Sequence, residues 1–172
     1  MRAENVLMGK RYSFVRFWLL RDQRVLMLLS VFLLSGSLFD TANAKSCDAV
    51  IGLLENNPHL ILIKKPEGKH TTEYNSGSVT TLSVSCSLGH PNIAITWDGP
   101  TPDNAFYDLV GTAGNLLTHR PASEVVKYSK QCRQEALKDD SEIATIERED
   151  MAIECQAFKR DGGGTTITIF TE

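Results

Sequence analysis

The first 44 residues constrain this chain most, because they have the layout of a segment that directs a protein out of the cytosol. Residues 10–24 carry five basic side chains: Lys10, Arg11, Arg16, Arg21 and Arg24. An apolar run follows at 25–39, and Ala42 and Ala44 then place small side chains at alternate positions. A basic start, an apolar centre and a small-residue cleavage site are the parts of a secretory signal peptide. We therefore expect cleavage after Ala44, which leaves residues 45–172 as a periplasmic or secreted protein.

The same segment leaves a second interpretation open, a membrane anchor that the finished protein keeps. A transmembrane helix needs about 20 predominantly apolar residues, and the run at 25–39 is shorter than that. Residues 14–20 are also apolar apart from Arg16, so an uncleaved leader would use residues 14–39 as its anchor. The chain would then be an anchored subunit of a complex in the inner membrane.

Charge divides unevenly between the leader and the remainder. Six of the 18 Lys and Arg residues and three of the 21 Asp and Glu residues lie before residue 45, which leaves 12 basic and 18 acidic residues after it. Nucleic-acid binding depends on Lys and Arg that displace counterions from phosphates, so we expect no nucleic-acid partner for a domain of net charge −6. Residues 45–172 are enough for one domain with its own core. We expect no cofactor and no metal in it.

All four cysteines lie after the leader, at Cys47, Cys86, Cys132 and Cys155. An even number of cysteines in an exported chain favours disulfides, and no pair has the C-x-x-C spacing of a redox or zinc motif. Four cysteines allow three pairings, between which the sequence alone does not decide. Each cysteine lies on the apolar side of a predicted helix or strand. We favour Cys47–Cys86 and Cys132–Cys155, with both bridges in the core between helices and strands.

The pattern of apolar residues predicts an α+β domain. Helices are expected at 46–56, from a cap at Thr101 or Asp103 to about 118, and at 122–138. Strands are expected at 59–65, 71–74, 79–87, 93–97, 143–148, 151–159 and 165–171. The strands come in blocks joined by short turns, which favours antiparallel pairing. We therefore expect an antiparallel sheet of five to seven strands, with about three helices packed on one face.

No catalytic or metal-binding motif is present in the sequence. The four histidines form neither H-x-x-x-H nor H-E-x-x-H; they are His59, His70, His90 and His119. There is no G-x-S-x-G nucleophile motif either. An acidic run is typical of a solvated strand surface, with carboxylate catalysis as its alternative; it contains Glu147, Glu149, Asp150 and Glu154. A small hydrolase that uses carboxylates or a histidine is therefore a second functional hypothesis.

Two further features concern packing and binding. Gly111 and Gly114 have the G-x-x-G spacing of a nucleic-acid-binding loop, but an acidic domain and an amphipathic pattern favour a close crossing of two helices. Aromatic residues flank the turn at 98–100, and we interpret them as a candidate ligand or partner patch, with a core edge as the alternative. The patch consists of Trp97, Asp98, Phe106 and Tyr107. Our first hypothesis is a small exported binding or protein-interaction domain, non-enzymatic, whose partner is another envelope protein or an envelope polymer.

Overall fold

The computed structural model describes residues 45–65, 71–87 and 90–171, which belong to one compact unit, Ala42–Glu172. The expected signal peptide at 1–44 and the alternative anchor at 14–39 lie outside the described residues, as does His70. None of the helices in the described ranges is long and apolar enough to cross a membrane.

Three helices and one sheet of seven strands form the described part. In chain order they are α1 (Cys47–Glu55), β1 (Ile61–Lys64), β2 (Thr72–Ser76), β3 (Thr80–Ser85), β4 (Asn92–Trp97), α2 (Asn104–Thr118), α3 (Ala122–Ala136), β5 (Ile143–Arg148), β6 (Met151–Phe158) and β7 (Gly164–Thr171). The strand order is β1-β2-β3-β4-β7-β6-β5, and every neighbouring pair is antiparallel. The predicted α+β class, antiparallel sheet and three helices are confirmed.

Side-chain caps decide where the first two helices begin. The Ser46 hydroxyl accepts a hydrogen bond from the Ala49 backbone N–H at 3.3 Å, at the start of α1. The Asp103 carboxylate accepts one from the Phe106 N–H at 2.8 Å, at the start of α2. Such caps satisfy backbone donors that the first helical turn leaves unpaired. Asp103, and not Thr101, is therefore the cap of α2.

The core lies between the helices and one face of the sheet. Its strand residues are aliphatic and fully buried: Leu82, Val84, Ile93, Ile95, Ile153, Ile167 and Ile169. Their neighbours along the strands point to the opposite face, because successive strand residues alternate sides. This open face carries mostly small polar residues, among them Thr81, Ser83, Thr96, Thr166 and Thr168. The sheet is therefore packed on one side only.

The two glycines of α2 allow it to cross α3 closely. A methyl group at Gly111 would lie 2.8 Å from Val126 Cγ2, and one at Gly114 would overlap Val125 and lie 3.1 Å from Ile169 Cδ1. Only residues without a Cβ fit such a contact. The close helix crossing expected from the sequence is confirmed, and α2 continues through both glycines to Thr118.

Two disulfides join the helices to strands at opposite ends of the sheet. Cys47 at the start of α1 is bonded to Cys86, which follows β3, and Cys132 of α3 is bonded to Cys155 of β6. These are the pairs favoured from the sequence. Two disulfides are compatible with an oxidising, exported compartment.

Candidate partner-binding surface

The aromatic residues singled out from the sequence form a row of edge-to-face contacts. The ring centroids of Trp97 and Phe106 are 6.0 Å apart, and those of Phe106 and Tyr107 are 5.3 Å apart. Asp98 is exposed, and its backbone N–H donates to the Val79 carbonyl at 2.8 Å. The structure therefore brings three of the four predicted residues into direct contact, with Asp98 joining the end of β4 to the β2–β3 turn.

Trp97 and Phe106 line a cleft, which we name the aromatic cleft. Its volume is about 330 Å³. The remaining walls come from the β2–β3 turn and the start of α2: Ser76, Gly77, Ser78, Val79, Thr80, Asp103 and Ala105. The turn has its shape because Gly77 adopts a φ of +75°, in the region that favours glycine. A small apolar side chain would therefore find an aromatic wall here.

Tyr107 belongs to the packing between α2 and α3 and does not line this cleft. The ammonium of Lys130 lies 4.7 Å from the centre of the Tyr107 ring. Burial raises the pKa of Tyr107 above its ordinary value of 10.0, and the nearby positive charge of Arg133 opposes that shift. Tyr107 is 8% exposed, so its ring is part of the core packing.

The indole N–H of Trp97 is buried without a hydrogen-bond partner. Gly99 lies against it, since a Cβ at Gly99 would be 3.0 Å from the indole nitrogen. Trp97 therefore contributes the apolar surface of its ring to the aromatic cleft, while its donor is covered by the turn that follows β4.

A second cleft, the polar cleft, lies between the α1–β1 loop and α2. It has a volume of about 390 Å³ and is lined by Asn57, His59, Ser76, Ala105, Asp108, Leu109 and Thr112. Asn57 holds the loop in shape, because its side-chain oxygen accepts a hydrogen bond from the His59 backbone N–H at 3.0 Å. Ser76 and Ala105 line both clefts, so the two clefts are adjacent, and we refer to them together as the groove.

Sequence reasoning missed the polar cleft. His59 and Asp108 carry no recognisable motif, and they come from separate elements that only the tertiary fold places around one cavity. Both side chains are exposed. The groove therefore offers an imidazole and a carboxylate to a ligand, beside an aromatic wall.

The strand β1 borders this groove and is the most exposed apolar element of the described residues. Ile61, Leu62 and Ile63 are 69%, 46% and 51% exposed. Ile61 lies opposite Asn75 of β2 and Leu62 opposite Tyr74, with a break in register before Lys64. Because Ile61 pairs with Asn75, β1 begins one residue from Ser76, where the groove starts. We name residues Ile61–Lys64 and their outer side the β1 edge.

Both lysines at the end of the β1 edge have a carboxylate close by. Lys65 forms an ion pair with Glu55 of α1, and Lys64 lies opposite Glu73 in the register of β1 and β2. Burial raises the pKa of Tyr74, the neighbour of Glu73, and the charge of Glu55 raises it further. The β1 edge is therefore apolar apart from Lys64, and the charge of the following Lys65 is paired within the chain.

The acidic residues considered for catalysis are divided between a cluster of ion pairs around Arg120 and the open face of the sheet. Arg120 donates from Nε to Asp150 at 2.6 Å and from Nη1 to Glu124 at 2.8 Å, and Glu149 lies 4.0 Å from the same guanidinium. Asp150 and Glu149 therefore connect the β5–β6 turn to the start of α3. Glu154 points to the open face, opposite Thr145 and Thr168.

Other acidic groups give no support to a general acid or a metal site. Asp139 accepts hydrogen bonds from the hydroxyl and the backbone N–H of Ser141, which lower the pKa of its carboxyl. A general acid needs the opposite shift. Within the described ranges, no group of three or more His, Cys, Asp or Glu residues could hold a metal ion.

Comparison of the chain with known protein families, with curated proteins and with solved structures found no match.

Proposed function

We propose that residues 45–172 form an exported, non-enzymatic protein-interaction domain that binds its partner through the β1 edge. The observation that carries this proposal is the exposure of Ile61, Leu62 and Ile63 on a strand that, among the described residues, has a neighbouring strand on one side only. An edge strand presents a row of backbone donors and acceptors that an incoming strand can pair with.

The chemistry of the edge favours a protein over a polysaccharide as the partner. The spacing of N–H and C=O groups along a strand matches the backbone of another extended peptide, and exposed aliphatic side chains gain from burial against apolar ones. The hydroxyl groups of a sugar polymer would gain little from Ile61 and Leu62. Another envelope protein is therefore the proposed class of partner.

The positions of the disulfides also support this proposal, because they bear on how far the stability of the fold depends on β1. The core is closed by helices α1 and α3, each bonded covalently to the sheet through Cys47–Cys86 and Cys132–Cys155. All four residues of β1 are exposed, so β1 contributes little to that core. A strand that folding does not need to bury is available for contact with another chain.

Site-specific photo-crosslinking tests the partner interaction. A photoreactive benzoylphenylalanine at position 61, in the full chain expressed in its own cells, is expected to give a discrete protein adduct. Position 143 is the matched control, since Ile143 is an isoleucine at the start of the opposite edge strand and is 43% exposed. The adduct should be identified by mass spectrometry and should disappear when Ile63→Lys is added. Adducts at neither position, or equally at both, would contradict the proposal.

Intact mass spectrometry tests the export. Protein from the periplasmic fraction should begin at Lys45 and gain two hydrogens for each disulfide on reduction. A full-length mass in the membrane fraction would contradict cleavage and favour the anchored-subunit alternative.

A further inference from the structure

The direction of an incoming strand follows from the sheet. All six strand pairings are antiparallel, and a strand added to β1 in the same pattern would run antiparallel to it. Its carboxyl-terminal end would then lie beside Ile61, the residue where β1 begins. The chain that continues from that end meets the α1–β1 loop and the polar cleft.

The side chains of β1 favour alternating apolar residues in the occupant. Ile61 shares a face with Asn75 and Leu62 shares one with Tyr74, because paired residues of neighbouring strands point the same way. Ile61 therefore points to the open face and Leu62 to the helix side. An incoming strand presents one of its side chains to each, and an aliphatic side chain removes the most apolar surface from water at both.

The charge around the start of β1 favours a positive group in the continuing chain. Lys64 and Lys65 lie at the far end of β1 from the polar cleft, where Lys65 pairs with Glu55, whereas Asp108 in the polar cleft forms no ion pair within the described part of the chain. Residues 45–172 also carry a net charge of −6. The polar cleft therefore presents a negative charge, and a lysine or arginine of the occupant complements it.

The size of the β1 edge argues against a second copy of this chain as the occupant. A stable interface between folded proteins takes about 20–30 residues from each side. The β1 edge has four residues. Such a surface suits a single extended segment, for which backbone hydrogen bonds supply much of the affinity.

From these observations we infer that the β1 edge binds an extended peptide segment with aliphatic residues at alternate positions, followed toward its carboxyl terminus by Lys or Arg. The aliphatic residues pack on Ile61 and Leu62, and the basic group enters the polar cleft and meets Asp108. This inference rests on the proposed function and adds the chemical class of the partner segment.

Labelled synthetic peptides test this class by fluorescence anisotropy with the purified domain. One peptide alternates valine and threonine and ends in two lysines, and its counterpart ends in two glutamates. We expect the lysine peptide to bind about fivefold more tightly, the size of effect that an exposed ion pair gives. Asp108→Lys should reverse this order. Asp140→Lys is the control, because Asp140 is equally exposed but lies in the turn between α3 and β5, away from the groove.

The outcomes separate this inference from the proposed function. If both peptides bind equally and Ile61→Lys abolishes that binding, the role of Asp108 is overturned. The β1 edge then remains a strand-binding site. Binding of neither peptide, together with an adduct at position 61 in cells, would overturn the peptide class alone. Concentration-dependent dimers that Ile61→Lys abolishes would identify a second copy as the occupant and overturn the inference.

Discussion

The two ends of the sheet are each built from a helix, strands and a disulfide, but the side chains on their edge strands differ. The β1 side consists of α1, β1–β3 and the Cys47–Cys86 bond, and the β5 side consists of α3, β5, β6 and the Cys132–Cys155 bond. On the β5 side, the strand ends in Glu147 and Arg148, and the guanidinium of Arg148 lies 4.5 Å from the centre of the Tyr128 ring on α3. On the β1 side, three aliphatic side chains in succession face solvent.

The ionic contacts show the same difference. On the β5 side, Arg120 connects the α2–α3 loop to the β5–β6 turn, and Arg133 donates to Thr165 and to the Pro100 carbonyl, both at 2.9 Å. On the β1 side, the described ion pair is the exposed contact between Lys65 and Glu55. The β5 side thus has more of these contacts than the β1 side within the described residues, although β5 is an edge strand just as β1 is. This difference predicts that more of the stability lies at the β5 side, and it is consistent with the proposal that a partner binds at the β1 side.

Removal of each disulfide is expected to have the largest effect and tests where stability lies. Each bond closes a loop, of 39 residues for Cys47–Cys86 and 23 for Cys132–Cys155, and loops of this size are worth about 3–4 kcal/mol. Cys132 and Cys155 are also fully buried, so Cys132→Ala with Cys155→Ala leaves a cavity in addition. Urea unfolding should therefore show the larger loss for the β5 side, although its loop is shorter.

The Cys47→Ala and Cys86→Ala double variant is the matched control for that measurement. Its loss should be concentrated in α1, so that amide hydrogens of α1 exchange faster while those of β6 and β7 stay protected. A β1-side variant that is the less stable of the two would contradict the comparison.

Glycine-to-alanine replacements are expected to have the next largest effect on stability. They distinguish a helix that is packed closely against its neighbour from one that has free space beside it. Gly114→Ala should destabilise the domain by about 1–3 kcal/mol, because its methyl group would overlap Val125. Gly52 in α1 has nothing within 4 Å of the position of a Cβ. Gly52→Ala should therefore gain up to about 1 kcal/mol from helix propensity. Thermal unfolding measures the change in stability of each variant. Equal changes would contradict the difference in packing between α1 and α2.

The elements were predictable from the sequence because their causes are local. Alternation of apolar residues placed β5 at 143–148, and the hydrogen-bonding side chain of Ser46 marked the start of α1. The exposure of β1 has no local cause. A run such as Ile61, Leu62 and Ile63 is typical of a buried strand, and only the strand order makes β1 an edge. The polar cleft was unpredictable for the same reason, since His59 and Asp108 meet through tertiary structure.

Substitution of Tyr74 is expected to have a smaller effect on stability, and it tests the burial of this side chain on the β1 side. Its hydroxyl is buried without a hydrogen-bond partner, so Tyr74→Phe should raise stability at pH 7 by about 1 kcal/mol. Burial raises the pKa of Tyr74 in the folded protein, so above pH 10 the unfolded chain loses this proton first. Stability should therefore fall as the pH rises above about 10, and Tyr74→Phe should make that fall less steep.

Tyr107→Phe is the companion variant for the pH measurement. Burial raises the pKa of Tyr107 as well, with Arg133 opposing the shift, so this variant should also make the fall in stability above pH 10 less steep. Urea unfolding at pH 7 and at several values above pH 10 gives both quantities. If neither variant alters the slope of the free energy of unfolding against pH, these tyrosines do not control unfolding at alkaline pH.

Lysine substitutions at the two edges give the smallest change in stability and the sharpest test of their roles. Ile61→Lys and Ile143→Lys both replace an exposed isoleucine at the start of an edge strand, so each should change the free energy of unfolding by no more than about 0.5 kcal/mol. Binding should separate them, because Ile61→Lys puts a hydrated charge where an incoming strand packs, whereas Ile143→Lys lies at the other end of the sheet. A photoreactive residue at position 63 should therefore lose its adduct with Ile61→Lys and keep it with Ile143→Lys. Equal adduct yields in the two variants, with both domains folded, would mean that the exposed aliphatic residues of β1 do not serve binding and that the open edge has another cause.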